Sequence, residues 1–319
     1  MNNTSVYFRY SDYLKQKYGE KVYKLPINLP VTCPNRDEKG RGGCIYCGDM
    51  GAGFESFANT HTVTEQLALA QAKIKDIYKA KKFIAYFQNF TNTFLPLKQL
   101  MCYIKEAAAY PDIIELAIST RPDCVNDEYL AAIKAACERR GLGITIELGL
   151  QTANPAALRI INRGHGLAEF IDAVMRLKAH KMDICAHIIL NLPWDTIDDN
   201  IECARILSAL GIHQVKIHNL YILKNTGLAE MYQNGDFTLI SPDEYIERAI
   251  TFLEHLSPNI AIGRIMSRSP ADSSVFSNWG QSWWRIHDEI QAIMRRDKRK
   301  QGDLCTYLNG SALQKFYSP

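Results

Sequence analysis

No stretch of this 319-residue chain approaches the roughly 18–20 consecutive apolar residues that a bilayer span requires. The opening Met1–Tyr10 is polar and aromatic, without the apolar centre of a secretory signal. A cytoplasmic protein with no membrane partner is the expectation. Internal repeats, low-complexity tracts and long Pro/Gly/Ser linkers are also missing, which excludes solenoids and disordered tethers. Charge of one sign is scarce in excess: 37 Lys+Arg against 34 Asp+Glu leave +3, which neither demands nor excludes an acidic partner. What the chain has is apolar residues, 47% against 22% charged, enough for a large core. Its length suits one barrel-sized domain with an extension, or two small domains.

Short continuous apolar runs alternate with longer amphipathic segments. Tyr23–Leu29, Phe83–Phe87, Ile113–Ile118, Ile144–Leu148, Ile184–Leu190 and Gln214–Ile217 read as parallel strands buried on both faces. Between them lie helical patterns. Thr62 and Glu65 form a capping box opening a helix to about Lys79, and Pro96 precedes Leu97–Ala109. Asn126–Arg140, Leu167–His180 and Asp198–Leu210 follow, the first and last stopping at Gly141 and Gly211. Ser241-Pro242-Asp243-Glu244 caps a further helix to about Leu256. The order predicts an α/β fold, an incomplete (β/α)6 TIM-like barrel short of the eight units of a full barrel, with an open doubly wound sheet as the alternative. An N-terminal arm over 1–22, a core over 23–258 and a C-terminal extension over 259–319 complete the expected organisation, with Ile260–Ile265 strand-like within the last.

Nine cysteines is an odd number, most lie singly in apolar stretches, and a disulfide framework is not expected in a reducing compartment. Cys102, Cys137 and Cys203 fall in helical patterns as core; Cys124 and Cys185 are ambiguous. Cys33, Cys44 and Cys47 stand apart. Ten residues separate the first two and two separate the last pair, all in the loop after the first strand, at the C-terminal face of a βα barrel. Thiolates are soft ligands that suit iron–sulfur clusters or zinc. Three thiolates on a four-iron cluster leave one iron open to a further ligand. The competing readings are structural zinc with His61 as fourth ligand, and unrelated buried thiols.

This loop is similar to that of radical S-adenosylmethionine (SAM) enzymes, in the longer-spaced form of the Elongator catalytic subunit, and departs from the commoner CxxxCxxC spacing. Thr120-Arg121-Pro122-Asp123, Glu147-Leu148-Gly149-Leu150-Gln151-Thr152 and Asn162-Arg163-Gly164-His165 resemble segments of that branch. Arg41-Gly42-Gly43, Ala85-Tyr86-Phe87-Gln88 with Thr91-Asn92-Thr93, and Lys216-Ile217-His218-Asn219-Leu220 resemble the bacterial YhcC/YtqA-like group. The likeness covers about Lys24 to Asn225.

The resemblance implies a 4Fe-4S cluster on Cys33, Cys44 and Cys47, with SAM as cofactor and a 5′-deoxyadenosyl radical as the reactive species. It places Tyr46 near the adenine. Gln88, Thr91 and Asn92 follow the second strand, where relatives hold the amino or carboxylate group of SAM, although the usual Gly-Gly-Glu is absent. Ser119, Arg121, Glu147, Gln151 and Arg163 complete the implied SAM-binding set. Each has a structural rival: a salt bridge for Glu147, a turn before Pro122 for Arg121, a strand end for Gln88, a helix end for Arg163, a polar turn for Thr91 and Asn92. Asn191-Leu192-Pro193-Trp194-Asp195 resembles a Gly-Leu-Pro-Gly turn bordering the mouth. His218, at a strand end, is the candidate catalytic, substrate-facing residue; His187 and His213 read as core.

Arg295, Arg296, Lys298, Arg299 and Lys300 form a basic run downstream of Trp279, Trp283 and Trp284, and the N-terminal arm mixes Tyr7, Phe8, Arg9 and Tyr10 with Lys15, Lys17, Lys21 and Lys24. Such mixtures bind phosphates and stack bases, and equally serve as solvated helix ends and packing patches. The resemblance implies a tRNA substrate, a wobble uridine whose carboxymethylaminomethyl group becomes aminomethyl, and an electron donor such as a reductase, flavodoxin or ferredoxin. A small-metabolite or protein substrate, and a non-catalytic zinc or iron–sulfur RNA-binding module, are the alternatives.

Overall fold

The computed structural model describes residues 5–48, 56–78, 80–268 and 271–316. Met1 and Lys79, the expected ends of the arm and of the first capped helix, lie outside them. The chain runs α1 (Tyr10–Tyr18), β1 (Val22–Ile27), α2 (Val63–Tyr78), β2 (Lys82–Phe87), α3 (Leu97–Ala109), β3 (Ile113–Thr120), α4 (Asp127–Glu138) and β4 (Gly143–Gln151). It continues through α5 (Pro155–Ile160), α6 (Leu167–Ala179), β5 (Asp183–Ile189), α7 (Ile197–Ala209), β6 (Gln214–His218), β7 (Ile222–Leu223) and α8 (Gly227–Asn234). It ends with α9 (Pro242–His255), β8 (Ala261–Arg264), β9 (Ser274–Phe276) and α10 (Trp283–Arg296).

The anticipated punctuation is in place. Thr62 N–H donates to Glu65 Oε2 (2.8 Å) and Glu65 N–H to Thr62 Oγ1 (3.2 Å), which closes the capping box. Ser241 Oγ accepts from Glu244 N–H ahead of α9. Past α4, Gly141 takes φ +65° and Leu142 N–H returns to Cys137 O, a left-handed stop that a side chain would strain.

All six expected strands form and pair in parallel, in sheet order β1-β2-β3-β4-β5-β6, curling into a partial barrel. Pro26 is tolerated inside β1 because β1 is an edge and pairs only with β2. A seventh strand, β8, adds in parallel to β6. The expected boundary at 258/259 therefore cuts through the sheet. Without β8, the open edge of β6 would present unpaired backbone groups. The N-terminal arm is also part of the barrel: Arg9 bridges to Ile262, and Ile262 N–H donates to Phe8 O.

The main apolar core lies between the outer face of the sheet and the helices, around Phe83, Phe87, Phe170, Tyr245 and Phe252. The barrel interior is different, because polar side chains occupy it in layers. At its base, Lys17 pairs with Glu115 (2.8 Å) and Asp183 (2.7 Å), Tyr13 donates to Asp183, Tyr18 donates to Glu115, and Thr145 donates to Glu115. Helix α1 thus plugs the bottom. Lys17 and Lys24, grouped in sequence with a nucleic-acid-like arm, point into the barrel, because buried Glu115 and Glu147 require counter-charges there.

Candidate active site at the cysteine loop

The loop after β1 is folded by its own polar residues. Asp37 Oδ1 accepts from the N–H groups of Lys39 and Arg41, and its other oxygen takes the Arg41 side chain. Gly42 and Gly43 adopt φ +84° and +97°, conformations that keep L side chains out of this tight return. Ile45 N–H donates to Ile161 O, and Leu228 N–H to Ile45 O, so the loop is sewn to α5 and α8. Asn35 donates to Asn162 O (2.5 Å) and Asn162 to Gly43 O (2.8 Å). Gly164, at φ +73°, lets this segment approach, because a Cβ there would collide with Asn35 and crowd Arg121 Nη2 at 3.1 Å.

Cys33, Cys44 and Cys47 are free thiols and line one cavity of about 150 Å³ at the C-terminal ends of the strands. Each thiol faces its own guanidinium. Arg121 Nη1 reaches Cys33 Sγ at 3.8 Å, Arg163 Nη1 reaches Cys44 Sγ at 3.5 Å, and Arg36 Nη2 reaches Cys47 Sγ at 3.5 Å. Burial pushes the Cys47 thiol up, and Arg36 draws it back only in part.

Among the described residues, the group of three ligand side chains lying within 4.8 Å of one another is Glu147, Cys185 and His187, and the loop cysteines are spaced more widely. A zinc ion with bonds of about 2.3 Å to sulfur needs closer ligands than that. His61 is exposed beside Glu65 and does not line the cavity. Soft sulfur donors, wide spacing and surrounding cations together fit an anionic iron–sulfur cluster better than a single ion.

Most of the residues singled out in the sequence meet here. Tyr46, Gln88, Thr91, Ser119, Arg121, Glu147, Gln151 and Arg163 all line the cavity. Gln151 is aimed by a register shift at the end of β4 and its own φ of +76°. Arg163 lies on Gly149, donating to its carbonyl at 2.8 Å, where a Cβ would come within 2.5 Å of Nη2. Asn92 does not reach the cavity: its amide donates to Phe87 O and Ser119 O, tying the ends of β2 and β3.

Glu147 lines the cavity but is also the centre of an ion-pair network. Lys24 holds Oε1 (2.5 Å), while Lys216 (2.5 Å) and His187 Nε2 (2.7 Å) hold Oε2. Burial alone would push this carboxyl up, yet Lys216, Lys24 and His187 keep it well below the usual range. Burial lowers Lys216 to about 8 against the pull of Glu147, and lowers His187 to about 4 despite its bond to Glu147. His187 is therefore neutral near pH 7 and donates from Nε2. The salt-bridge rival to a cofactor contact is the arrangement present at Glu147.

His218 sits behind this wall. It stacks on His187 (5.2 Å), bonds Ser267 Oγ through Nδ1 (2.9 Å) and meets Arg264 Nη2 at 3.1 Å, without lining the cavity. Sequence reasoning overlooked Arg36 and Arg264, and read His187 as core and Lys24 as surface. The available signal, for His187, was the alternation of polar and apolar side chains along β4, β5 and β6; Lys24 and Arg264 stand alone in their strands and Arg36 lies in a loop.

The basic run is partly neutralised. Arg299 pairs with Glu247 and Glu254, Arg296 with Asp297, and Arg295 donates to Gln291. Trp279 packs on Tyr245 and donates to Ile240 O, while Trp284 is exposed. Among the described residues no helix is long and apolar enough to cross a membrane.

Comparison with known proteins agrees with this geometry. The Radical SAM superfamily model matches residues 27–207, and the Radical_SAM C-terminal domain matches 212–296. Uncharacterized protein YtqA of Bacillus subtilis is 30% identical over 94% of this chain and 93% of its own. Protein YhcC of Escherichia coli is 32% identical over 85% and 86%. A tRNA uridine(34) acetyltransferase of Methanocaldococcus infernus is 28% identical over 50% of this chain and 29% of its own. The structure of archaeal Methanocaldococcus infernus Elp3 superposes with TM-score 0.69 at 16% identity, over 88% of this chain and 64% of that one. It shares the curled parallel sheet. A family whose members use a 4Fe-4S cluster and SAM thus accounts for both the loop and the sheet, and this chain belongs to the radical SAM superfamily.

Proposed function

We propose that the protein is a radical SAM enzyme that acts on the wobble uridine of tRNA, converting a carboxymethylaminomethyl side chain to aminomethyl. One observation carries the radical half: three free thiols and side chains from five strands, β2, β3, β4, β5 and β8, line a single cavity. Cys33, Cys44 and Cys47 ligate the cluster, and Arg36, Arg121 and Arg163 balance its charge. When bound, SAM supplies a 5′-deoxyadenosyl radical that takes a hydrogen atom from substrate. Tyr46, Gln88, Thr91, Ser119 and Gln151 hold and orient the cofactor. The RNA half rests on the half-chain likeness to a tRNA uridine(34) acetyltransferase. Arg296, at the end of α10, and Lys298 and Lys300 beyond it are exposed and are the surface candidates for phosphate contact.

The test is incubation of reconstituted protein with SAM, a reductant and hypomodified tRNA. Release of 5′-deoxyadenosine together with loss of the carboxymethyl group from the nucleoside supports the reading. SAM cleavage indifferent to tRNA counts against the RNA half alone.

A further inference from the structure

The inner wall of the cavity carries more positive charge than the chain neutralises. Lys24 and Lys216 share one carboxylate, Glu147, whose two oxygens are both engaged. Arg264 closes the same wall from the end of β8, in register with Lys216. Among the described residues no carboxylate lies within ion-pair distance of Arg264. Its Nη2 meets the ring of His218, and its Nε is buried without a partner. His218 cannot serve as a counter-charge, being an imidazole already bonded to Ser267. Arg264 is half-buried with its side chain on the cavity, and its planar fork matches a carboxylate. The anion is not the cluster, because the three sulfurs are faced by Arg36, Arg121 and Arg163.

We propose that Arg264 binds a carboxylate of the substrate, so that the molecule acted on carries an acid group close to the reacting carbon. This rests on the radical reading of the same cavity and deepens it. It holds for a modified nucleoside and for a small acid alike. Arg264 then orients the substrate by its acid group, with His187 on the adjoining wall.

Two arms test this on the full-length, cluster-reconstituted protein. In the first, SAM is saturating, so its own site is filled, and the thermal midpoint is followed with sodium acetate against sodium chloride at equal ionic strength. Acetate should raise the midpoint of the parent protein, fail to do so in Arg264→Gln, and act weakly in Arg264→Lys, which keeps the charge but loses the fork. In the second, an anticodon stem-loop bearing the carboxymethylaminomethyl group is compared with its methyl ester. Arg264→Gln should raise KM for the acid at least tenfold and leave the ester unchanged. No acetate effect in the parent protein, or an undiminished one in both variants, overturns the proposal. So does a loss of SAM binding in Arg264→Gln with acetate protection intact, which would give the residue to the cofactor. If the stem-loop is not a substrate, the RNA reading fails while the acetate arm still decides the role of Arg264.

Discussion

Lys216 and Glu147, sixty-nine positions apart, meet at 2.5 Å in the centre of the barrel, where the carboxylate is fully buried. Lys24 takes the other oxygen, so one acid from the fourth strand holds cations from the first and sixth. Interiors of βα barrels are usually filled by layers of branched apolar side chains. Here the layer beneath the cavity is ionic, which keeps that wall polar and fixes where its charges point.

Replacing Glu147 by Gln removes the shared counter-charge and leaves two buried ammonium groups opposed to each other. Breaking a buried pair costs about 3–5 kcal/mol. Urea denaturation of Glu147→Gln should show a loss of that size, and adding Lys216→Met should recover part of it. A loss below about 1 kcal/mol would mean that the network is solvated and weak.

The cysteines divide into two classes. Cys33→Ala, Cys44→Ala and Cys47→Ala should each lower bound iron and sulfide and abolish SAM cleavage. Cys137→Ala and Cys203→Ala, buried in α4 and α7, should keep both and lose only packing stability. Metal and sulfide analysis of anaerobic preparations separates the classes.

Arg163 donates to Cys44 Sγ and, through a second nitrogen, to Gly149 O. Removing its charge should stabilise the oxidised cluster. Arg163→Gln is therefore expected to have a more negative reduction potential in a redox titration followed by electron paramagnetic resonance. Arg163→Lys should keep the potential closer to that of the parent but lose the bond to Gly149. A potential unmoved in both variants would show that Arg163 serves the backbone alone.

Gly149→Ala places a Cβ within 2.5 Å of Arg163 Nη2 and 2.9 Å of Gln151 Nε2. Both side chains must shift out of the cavity wall. SAM affinity by equilibrium dialysis should fall at least tenfold, while far-ultraviolet circular dichroism stays unchanged.

Asp195, in the turn after β5, is buried, and neither of its carboxylate oxygens has a hydrogen-bond partner, although Thr152 and Asn154 lie beside it. Burial raises its pKa from 3.8 to about 7. Between those values the folded chain keeps a proton that the unfolded chain releases, so stability contributed below pH 3.8 is lost as pH rises through 7. Asp195→Asn should match the parent at pH 4 and melt higher at pH 8. Equal midpoints at both pH values would show that the carboxylate is hydrated.

Strand and helix positions were legible because apolar period and capping chemistry are local: Thr62 with Glu65 and Ser241 with Glu244 can be read within one turn of chain. The cysteine loop was legible for the same reason, since its spacing is contained in fifteen residues, Cys33 to Cys47. Glu147, Lys216, His187 and Lys24 were all named, but nothing local joined the last three to the first. Lys24 reads as one more cation in a basic arm until β1 turns its face into the barrel.

By itself the sequence determined the alternation of strands and helices, the thiol triad and the chemistry that soft ligands invite. Tertiary structure alone decided which guanidinium faces which sulfur, that β8 joins the sheet, and that Arg264 is left facing the cavity without an acid. These depend on strand register and curl, which bring together side chains from distant parts of the chain. No local pattern records whether a cation in one strand will find a carboxylate in another.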